Sequence, residues 1–388
     1  MFRVAVAQSI ELDSADAVAE VLDQCHQQLG DLQPQAGLLF AGIDFEFSSI
    51  LDEISSVYPD VELIGCTTDG EMASVHGYTD DSLALMLLCT DELVFKSGVA
   101  VGVSEDTANT VERAVASVAS ELHEEPVLCI ATPTSLTASG DNTVEGLQRG
   151  LGKGVPVFGG TAGDQWRFKG TYQFHRRTVY TDAAPFLLIA GPLIYSFGID
   201  TGWIPIGPRK TVTKSENNVV YEIGGEKALH FYRHHLGEDI GLGDAGAISE
   251  YPLAVFEDDG ELYYLRASTL LDRKAGSLTF VGNVPEGSTV QIAHSTRDRI
   301  VEAAERSIAA SVKSYPGNRP LAALCFSCCA RKQVLGTRVE EEYAAFQRTL
   351  PEIPIVGFYT YGEIGPLERG RPARFHNETF FNLVIGLT

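Results

Sequence analysis

The sequence predicts an α/β fold with mixed sheets, built from three related β-α-β-α-β-β modules in two domains. Three observations carry this expectation. A glycine–threonine–glycine–acid motif recurs, the elements ahead of it recur in the same order, and strand patterns alternate with helical ones. The clearest copies are Ile64-Gly-Cys-Thr-Thr-Asp-Gly-Glu-Met72 and Val356-Gly-Phe-Tyr-Thr-Tyr-Gly-Glu-Ile364, both aliphatic-Gly-x-x-Thr-x-Gly-Glu-aliphatic. A weaker copy, Phe158-Gly-Gly-Thr-Ala-Gly-Asp164, is one residue shorter and has Asp in place of Glu.

In chain order, the first module reads as an apolar run Phe2–Ala7, a helix Ala15–Leu29, a run Gly37–Ala41 and a short helix Phe47–Val57. The motif follows, then a run Ser82–Leu88. The second reads Phe95–Val103, Thr107–Leu122, Pro126–Ala131 and Thr143–Leu151, with strands Tyr172–Phe174 and Phe186–Ala190 after its motif. The third reads Thr289–Ala293, Asp298–Ser314, Leu321–Ser327 and Glu340–Leu350, closed by Phe380–Ile385. Helices are read from apolar positions three and four apart, as in Ile300, Ala303, Ala304, Ile308 and Val312. Strands are read from β-branched and aromatic runs bounded by Gly, Pro or Asp. Each closing strand follows a loop without a helix, so an antiparallel partner is expected there.

A different stretch, Pro192–Glu286, lies between the second and third modules. It holds a hairpin, Thr211–Thr213 with Val219–Ile223, turned through Asn217-Asn218, then a helix Glu226–Leu236. Strands Leu262–Ala267 and Leu278–Val281 follow, and the domain boundary is expected near 205–216.

With 388 residues, the chain has room for two domains or one large α/β unit. Its 52 acidic and 29 basic residues give a formal charge of -23, which repels phosphate backbones and anionic lipid surfaces. Nucleic acid is therefore not an expected partner. The longest apolar run, Leu83–Cys89, is too short to span a bilayer, and residues 1–8 lack the pattern of a signal peptide. Seven irregularly spaced cysteines argue against a disulfide framework, so a cytoplasmic location is expected.

These residues resemble the FIST family. The N-terminal part of the resemblance runs through Leu63–Glu71, Val157–Asp164, Thr171–His175 and Gly202-Trp-Ile-Pro-Ile-Gly207. The C-terminal part runs through Cys325-Phe-Ser-Cys-Cys-Ala-Arg331, Gly357–Ile364 and His376-Asn-Glu-Thr379. The resemblance implies a FIST N-terminal domain over 1–210, with two modules, and a FIST C-terminal domain over 211–388, with the hairpin–helix insertion and the third module. It further implies a bacterial sensory protein that binds a small ligand and signals to a separate partner, such as a histidine kinase or a cyclic-dinucleotide enzyme. Amino acids are among the ligands proposed for such domains. A subset of similar length is described as haem proteins sensing nitric oxide.

Each motif follows a buried strand, where α/β sheets usually hold ligands. Gly65, Gly70, Gly160 and Gly362 allow close backbone approach, Thr68 and Thr360 add hydroxyls, and Glu71, Glu363 and Asp164 can accept from an ammonium group. The competing reading is a structural turn whose Glu caps a neighbouring strand. Arg331 can grip a carboxylate or pair with one of the many acids, and His376 with Asn377 leads into the last strand. His175 and His376 are the axial candidates for haem, and there is no Cys-x-x-Cys-His for covalent attachment. Cys325-x-x-Cys328 lacks a second pair for zinc, and His230 with His234 lacks the zincin Glu. No P-loop, nucleophile elbow or full dinucleotide fingerprint occurs, the glycines at 150, 152 and 154 included. The expectation is therefore a non-enzymatic receptor. A thiol-dependent enzyme using Cys328 or Cys329 with His376 and Glu363 is the rival.

Overall fold

The structure, a computed structural model, describes residues 2–152, 154–237, 250–257 and 260–388. The first unit consists of β1 (Phe2–Ser9), α1 (Ser14–Leu29), β2 (Ala36–Ala41), α2 (Phe47–Val57) and β3 (Glu62–Thr67). A small hairpin, β4 (Glu71–Ala73) with β5 (Gly77–Thr79), and β6 (Leu83–Thr90) complete it. Asp13 caps α1 by accepting from the Ala15 and Asp16 amides. The helix then buries Ala17, Val18, Val21, Cys25 and Leu29, the stripe its three- and four-residue spacing dictates.

The second unit repeats this order as β7 (Val94–Val101), α3 (Thr107–Ala119), β8 (Leu128–Ala131), α4 (Gly140–Leu151) and β9 (Val157–Gly160). Hairpin β10 (Gln173–His175) with β11 (Thr178–Tyr180) and strand β12 (Ala183–Ala190) follow.

The third unit begins with β13 (Leu193–Asp200). It is then interrupted by an inserted sheet of β14 (Ile204–Glu216), β15 (Val219–Ile223), β16 (Glu226–Lys227), β17 (Leu253–Phe256), β18 (Tyr263–Arg266), β19 (Ser268–Asp272), β20 (Ser277–Phe280) and β21 (Thr289–His294). Helix α5 (Ala228–Leu236) packs on that sheet. The unit resumes with α6 (Arg297–Ser314), β22 (Ala322–Cys328), α7 (Cys329–Leu335), α8 (Glu340–Thr349), β23 (Ile355–Thr360), hairpin β24 (Glu363–Pro366) with β25 (Ala373–His376), and β26 (Phe380–Leu387).

One expectation needs correction here. Thr289–Ala293 was assigned as the opening strand of the third module because it immediately precedes that module's helix. It pairs instead with β14 and β17 in the inserted sheet. The true opening strand is β13, which pairs with β26 from Leu193↔Leu387 to Asp200↔Phe380. The insertion thus splits the third unit between its first strand and first helix. The 210/211 position lies inside the continuous strand β14. The hairpin through Asn217 forms as expected, with Asn217 at φ 52° and Glu216 opposite Val219.

Each unit forms a sheet in the order first, last, second, third strand, and the closing strand is antiparallel to both neighbours, as expected. The edge of the third strand is then covered by a hairpin from another unit. β3 receives β10–β11 from the second unit, β9 receives β24–β25 from the third, and β23 receives β4–β5 from the first. The exchange is cyclic, and in each of the three unit sheets it covers the open edge of the third strand.

Both faces of the central strands are buried, which explains their nearly unbroken apolar runs. Inward side chains from all three sheets, among them Phe40, Ile64, Phe158, Leu187, Phe326 and Leu383, meet in one common core. The outward faces are covered by each unit's own helices.

Candidate functional site

The motif glycines Gly65, Gly159 and Gly357 occupy one equivalent position in the three units. A Cβ there would stand 1.9, 1.9 and 2.2 Å from the carbonyl oxygens of Leu39, Ala131 and Cys325 on the parallel neighbour strand. Their role is close strand approach. Gly160 is excluded from having a side chain by the Thr360 methyl at 2.9 Å, and Gly362 by the Phe375 ring at 2.2 Å.

Two residues beyond those glycines, the three corners converge. Asp69 N–H donates to Tyr359 O (2.9 Å), Gly163 N–H to Thr67 O (2.8 Å), and Tyr361 N–H to Thr161 O (3.4 Å). A second set runs alongside, from Thr67 N–H to Tyr172 O, from Thr161 N–H to Gly362 O, and from Tyr359 N–H to Gly70 O. These bonds lace the units into a closed backbone ring at one end of the common core.

The motif acids cap strands. Glu71 accepts from the Ser82 amide (3.2 Å), the Ser82 hydroxyl (2.6 Å) and the Thr68 hydroxyl. Glu363 accepts from the Thr379 amide (3.1 Å) and hydroxyl (2.6 Å). In the second unit this place belongs to Gln173, whose Oε1 accepts from the Ala183 amide at 3.3 Å. Asp164 therefore does not fill the role of the missing glutamate. It accepts from the Phe168, Lys169 and Gly170 amides and from the Tyr361 hydroxyl. Partial burial works to raise its carboxyl, but those donors outweigh burial and hold it below the usual range.

Arg331 is fully buried and pairs with Glu342 at 2.7 Å, while its other donors reach the Thr201 and Ile300 carbonyls. The salt bridge, rather than a grip on a free carboxylate, is what the geometry contains. His376 is buried on β25 with Nε2 donating to Gly365 O at 2.9 Å, and burial pushes its imidazole down to about 3. Asn377 bridges to the inserted sheet by accepting from the Ala267 amide. His175 sits at the end of β10 with Nε2 3.0 Å from Ser97 Oγ. Thr360 is engaged with both the N–H and the carbonyl of Gly362.

The unusual chemistry lies next to these residues. Asp69, Glu363 and Glu378 are all fully buried. Among the described residues, both oxygens of Asp69, Oε1 of Glu363 and both oxygens of Glu378 have no donor at hydrogen-bonding distance, although the Trp166 and Cys328 side chains lie near enough to lower the Asp69 and Glu363 carboxyls. Burial is the main cause that raises Asp69 to about 7 and Glu363 to about 8, and it carries Glu378 well above the ordinary range. Glu378 also holds a left-handed backbone at φ 62°, a costly conformation for this residue type.

Cys329 stands between these acids and feels the charges of Asp69, Glu378 and Glu363. Burial, then those carboxylates, push its thiol up to about 11. Cys328 is raised as well, by its contact with Cys329 and by burial. Both are disfavoured as thiolates, and His376 spends its donor on a backbone carbonyl.

One helical turn beyond Cys329, Lys332 reaches over Asp69. Its Nζ donates to Asp80 Oδ1 at 2.6 Å and to the Asp69 carbonyl, and lies 3.9 Å from the Asp69 carboxylate. Lys332 lines an open cavity of about 480 Å³ together with Tyr78, Asp80, Trp166, Gln333 and Val339. Trp166 enters on a loop where Gln165, Trp166 and Phe168 all have left-handed backbones, at φ 56°, 61° and 49°. The Tyr361 hydroxyl ties the loop down by accepting the Trp166 amide at 2.6 Å. His175 and His376 do not line this cavity. Among the described residues, no cluster of His, Cys, Asp or Glu is arranged to hold a metal ion. Nor, among the described residues, is any helix long and apolar enough to cross a membrane.

The motif corners meet through backbone hydrogen bonds, but none of the site residues expected from the sequence lines the cavity beside Lys332, and the sequence reading passed over Asp69, Trp166, Lys332 and Glu378. Asp69 is a variable position inside the motif, and Glu378 follows His376-Asn377 directly.

The chain is thus a cyclic three-unit α/β ring whose motif corners interlock and whose third unit is split. The FIST N domain matches residues 35–226 and the FIST C domain residues 228–366. The chain belongs to the FIST family. It is 25% identical over 394 residues to an uncharacterised protein of Mycobacterium tuberculosis, covering 94% of this chain and 95% of the relative. An uncharacterised protein of Methanocaldococcus jannaschii is 25% identical over 207 residues, covering 50% of this chain and 38% of the relative. Among solved structures, cyanuric acid hydrolase from A. caulinodans aligns at TM-score 0.40 and 8% identity, covering 100% of this chain and 99% of that one. PurLQS from Thermotoga maritima aligns at TM-score 0.23 and 11% identity, covering 100% and 72%.

Proposed function

We propose that this chain is a sensory receptor for a small amino-acid-like metabolite, bound in the cavity beside Lys332 where the three units meet and reported to a separate signalling protein. The observation that carries the reading is the set of donorless, fully buried carboxylate oxygens of Asp69, Glu363 and Glu378. Buried polar groups are costly without partners, and a ligand ammonium supplies three donors. Lys332 offers the complementary charge for a ligand carboxylate, and Trp166 and Tyr78 offer apolar faces for its body. Binding energy then favours one arrangement of the strained 165–168 loop over another, which is the minimum a receptor requires. A histidine kinase or a cyclic-dinucleotide enzyme is the kind of partner proposed.

The test is a thermal melt of the full chain against the twenty amino acids, with methylamine and acetate as half-ligands. At a hundredfold excess over Kd, one ligand should stabilise by about 2.7 kcal/mol, a rise of several degrees. Asp69→Asn and Lys332→Ala should each abolish that rise. A rise that survives both changes, or no rise with any amino acid, would sink the reading. A Soret band in the purified protein would favour the haem alternative instead. Substrate turnover abolished by thiol alkylation would favour the enzyme.

A further inference from the structure

We propose a second ligand site, for a small carboxylate with an apolar body, between the inserted sheet and the hairpin of the third unit. A cavity of about 270 Å³ lies there, just below the usual size of drug-sized ligand pockets and suited to a small occupant. One wall is Val255, Phe256 and Tyr264 from β17 and β18. The opposite wall is Leu367, Arg371 and Arg374 from the β24–β25 hairpin.

The charge of this cavity runs against that of the whole chain. In a protein of formal charge -23, the lining among the described residues includes two guanidiniums and one carboxylate, Glu257. Glu257 is already paired with Arg374. The Arg374 guanidinium also lies over the Tyr264 ring, 5.0 Å from its centre, so its position is fixed from two sides. Arg371 meets its paired carboxylate, Glu368, only at 4.0 Å, beyond hydrogen-bonding distance. Its fork is the cation available to an incoming anion, and a carboxylate matches that fork with two parallel hydrogen bonds. Pro285 and Pro372 add apolar wall, and the Ser288 side chain adds a polar edge. An anion with a few carbons attached satisfies both features, whereas a bare oxyanion leaves the apolar walls uncovered.

Because the two walls belong to different parts of the fold, an occupant bridges the inserted sheet to the ring. The proposal stands independently of the amino-acid reading, since its lining residues are different.

Hexanoate and inorganic phosphate are the probes, titrated into the full-length protein with the melting midpoint and calorimetric heat recorded. Hexanoate should raise the midpoint by about 2–4 °C near saturation. Arg371→Ala should weaken its binding at least tenfold, and Arg371→Lys should restore only part of it. Arg369→Ala, an exposed arginine outside the lining, should leave binding unchanged and controls for lost surface charge. Arg371 is exposed, so its removal should not unfold the chain, and the unliganded melt verifies this. Equal binding of phosphate and hexanoate, or hexanoate binding unaffected by Arg371→Ala, would overturn the proposal.

Discussion

The second and third units share one backbone plan and differ in what fills their corners. In the second unit, Gln173 caps the last strand through the Ala183 amide, and the following acid, Asp182, is met by the Ser104 amide and the Ser104 and Thr137 hydroxyls. In the third, Glu363 replaces the amide, Thr379 replaces Ala183, and Glu378 stands in place of Asp182 with no donor at all. The inserted sheet reaches the third corner through Ala267 to Asn377 and Arg266 to the Phe375 carbonyl, and it meets the second unit at Asp141. One copy of the corner therefore has its acid met by donors, whereas the other retains buried carboxylate oxygens that no described residue satisfies. The comparison separates what the corner needs structurally from what it was given in addition.

The largest effect that breaks the comparison should come from Arg331→Ala. It leaves Glu342 buried without its partner beneath the third corner and should cost about 3–5 kcal/mol in a urea titration. A loss below about 1 kcal/mol would show the pair to be dispensable.

Next comes Glu363→Gln, which copies the second unit's solution. Because the Glu363 pKa is raised from 4.5 to about 8 in the folded chain, its stabilising contribution is complete below 4.5 and fades as pH rises through 8. His376, pushed down by burial, acts in the opposite direction but only below about 6.5. Between pH 6.5 and 8.5, stability should therefore fall in the wild type and fall less steeply in Glu363→Gln. Parallel curves from denaturant melts at several pH values would contradict this.

The smallest effect should be that of Thr379→Ala, which removes one hydroxyl donor and leaves the amide that the second unit manages with. A loss of about 1 kcal/mol is expected. A loss as large as that of Arg331→Ala would mean that the two corners are not equivalent devices.

Much of this was legible in the sequence. The motif and its surrounding order exposed three repeated units, because period-2 and period-3.6 apolar patterns are local properties of the chain. The hairpin exchange was not legible. Its strands are as short as Glu71–Ala73, and the partner of that strand, β23, lies nearly three hundred residues away. The split of the third unit was misread because β21 and β13 are both alternating apolar strands, and only β21 adjoins the helix in sequence. At the corners, Glu71 and Glu363 were found by their motif. Gln173 was missed because the 165–172 segment intervenes, which let Asp164 pass for its counterpart. Arg331 carried two readings that only its distance to Glu342 could separate. Glu378 could not be recognised from sequence, since what distinguishes it is the absence of a donor.

The cyclic exchange of hairpins has a mechanical consequence. Every third of the molecule clasps one neighbour and is clasped by the other, so no third can be peeled away without opening two seams. A protease cut in a single surface turn should leave both fragments knotted by noncovalent grip, migrating together until denaturant is added.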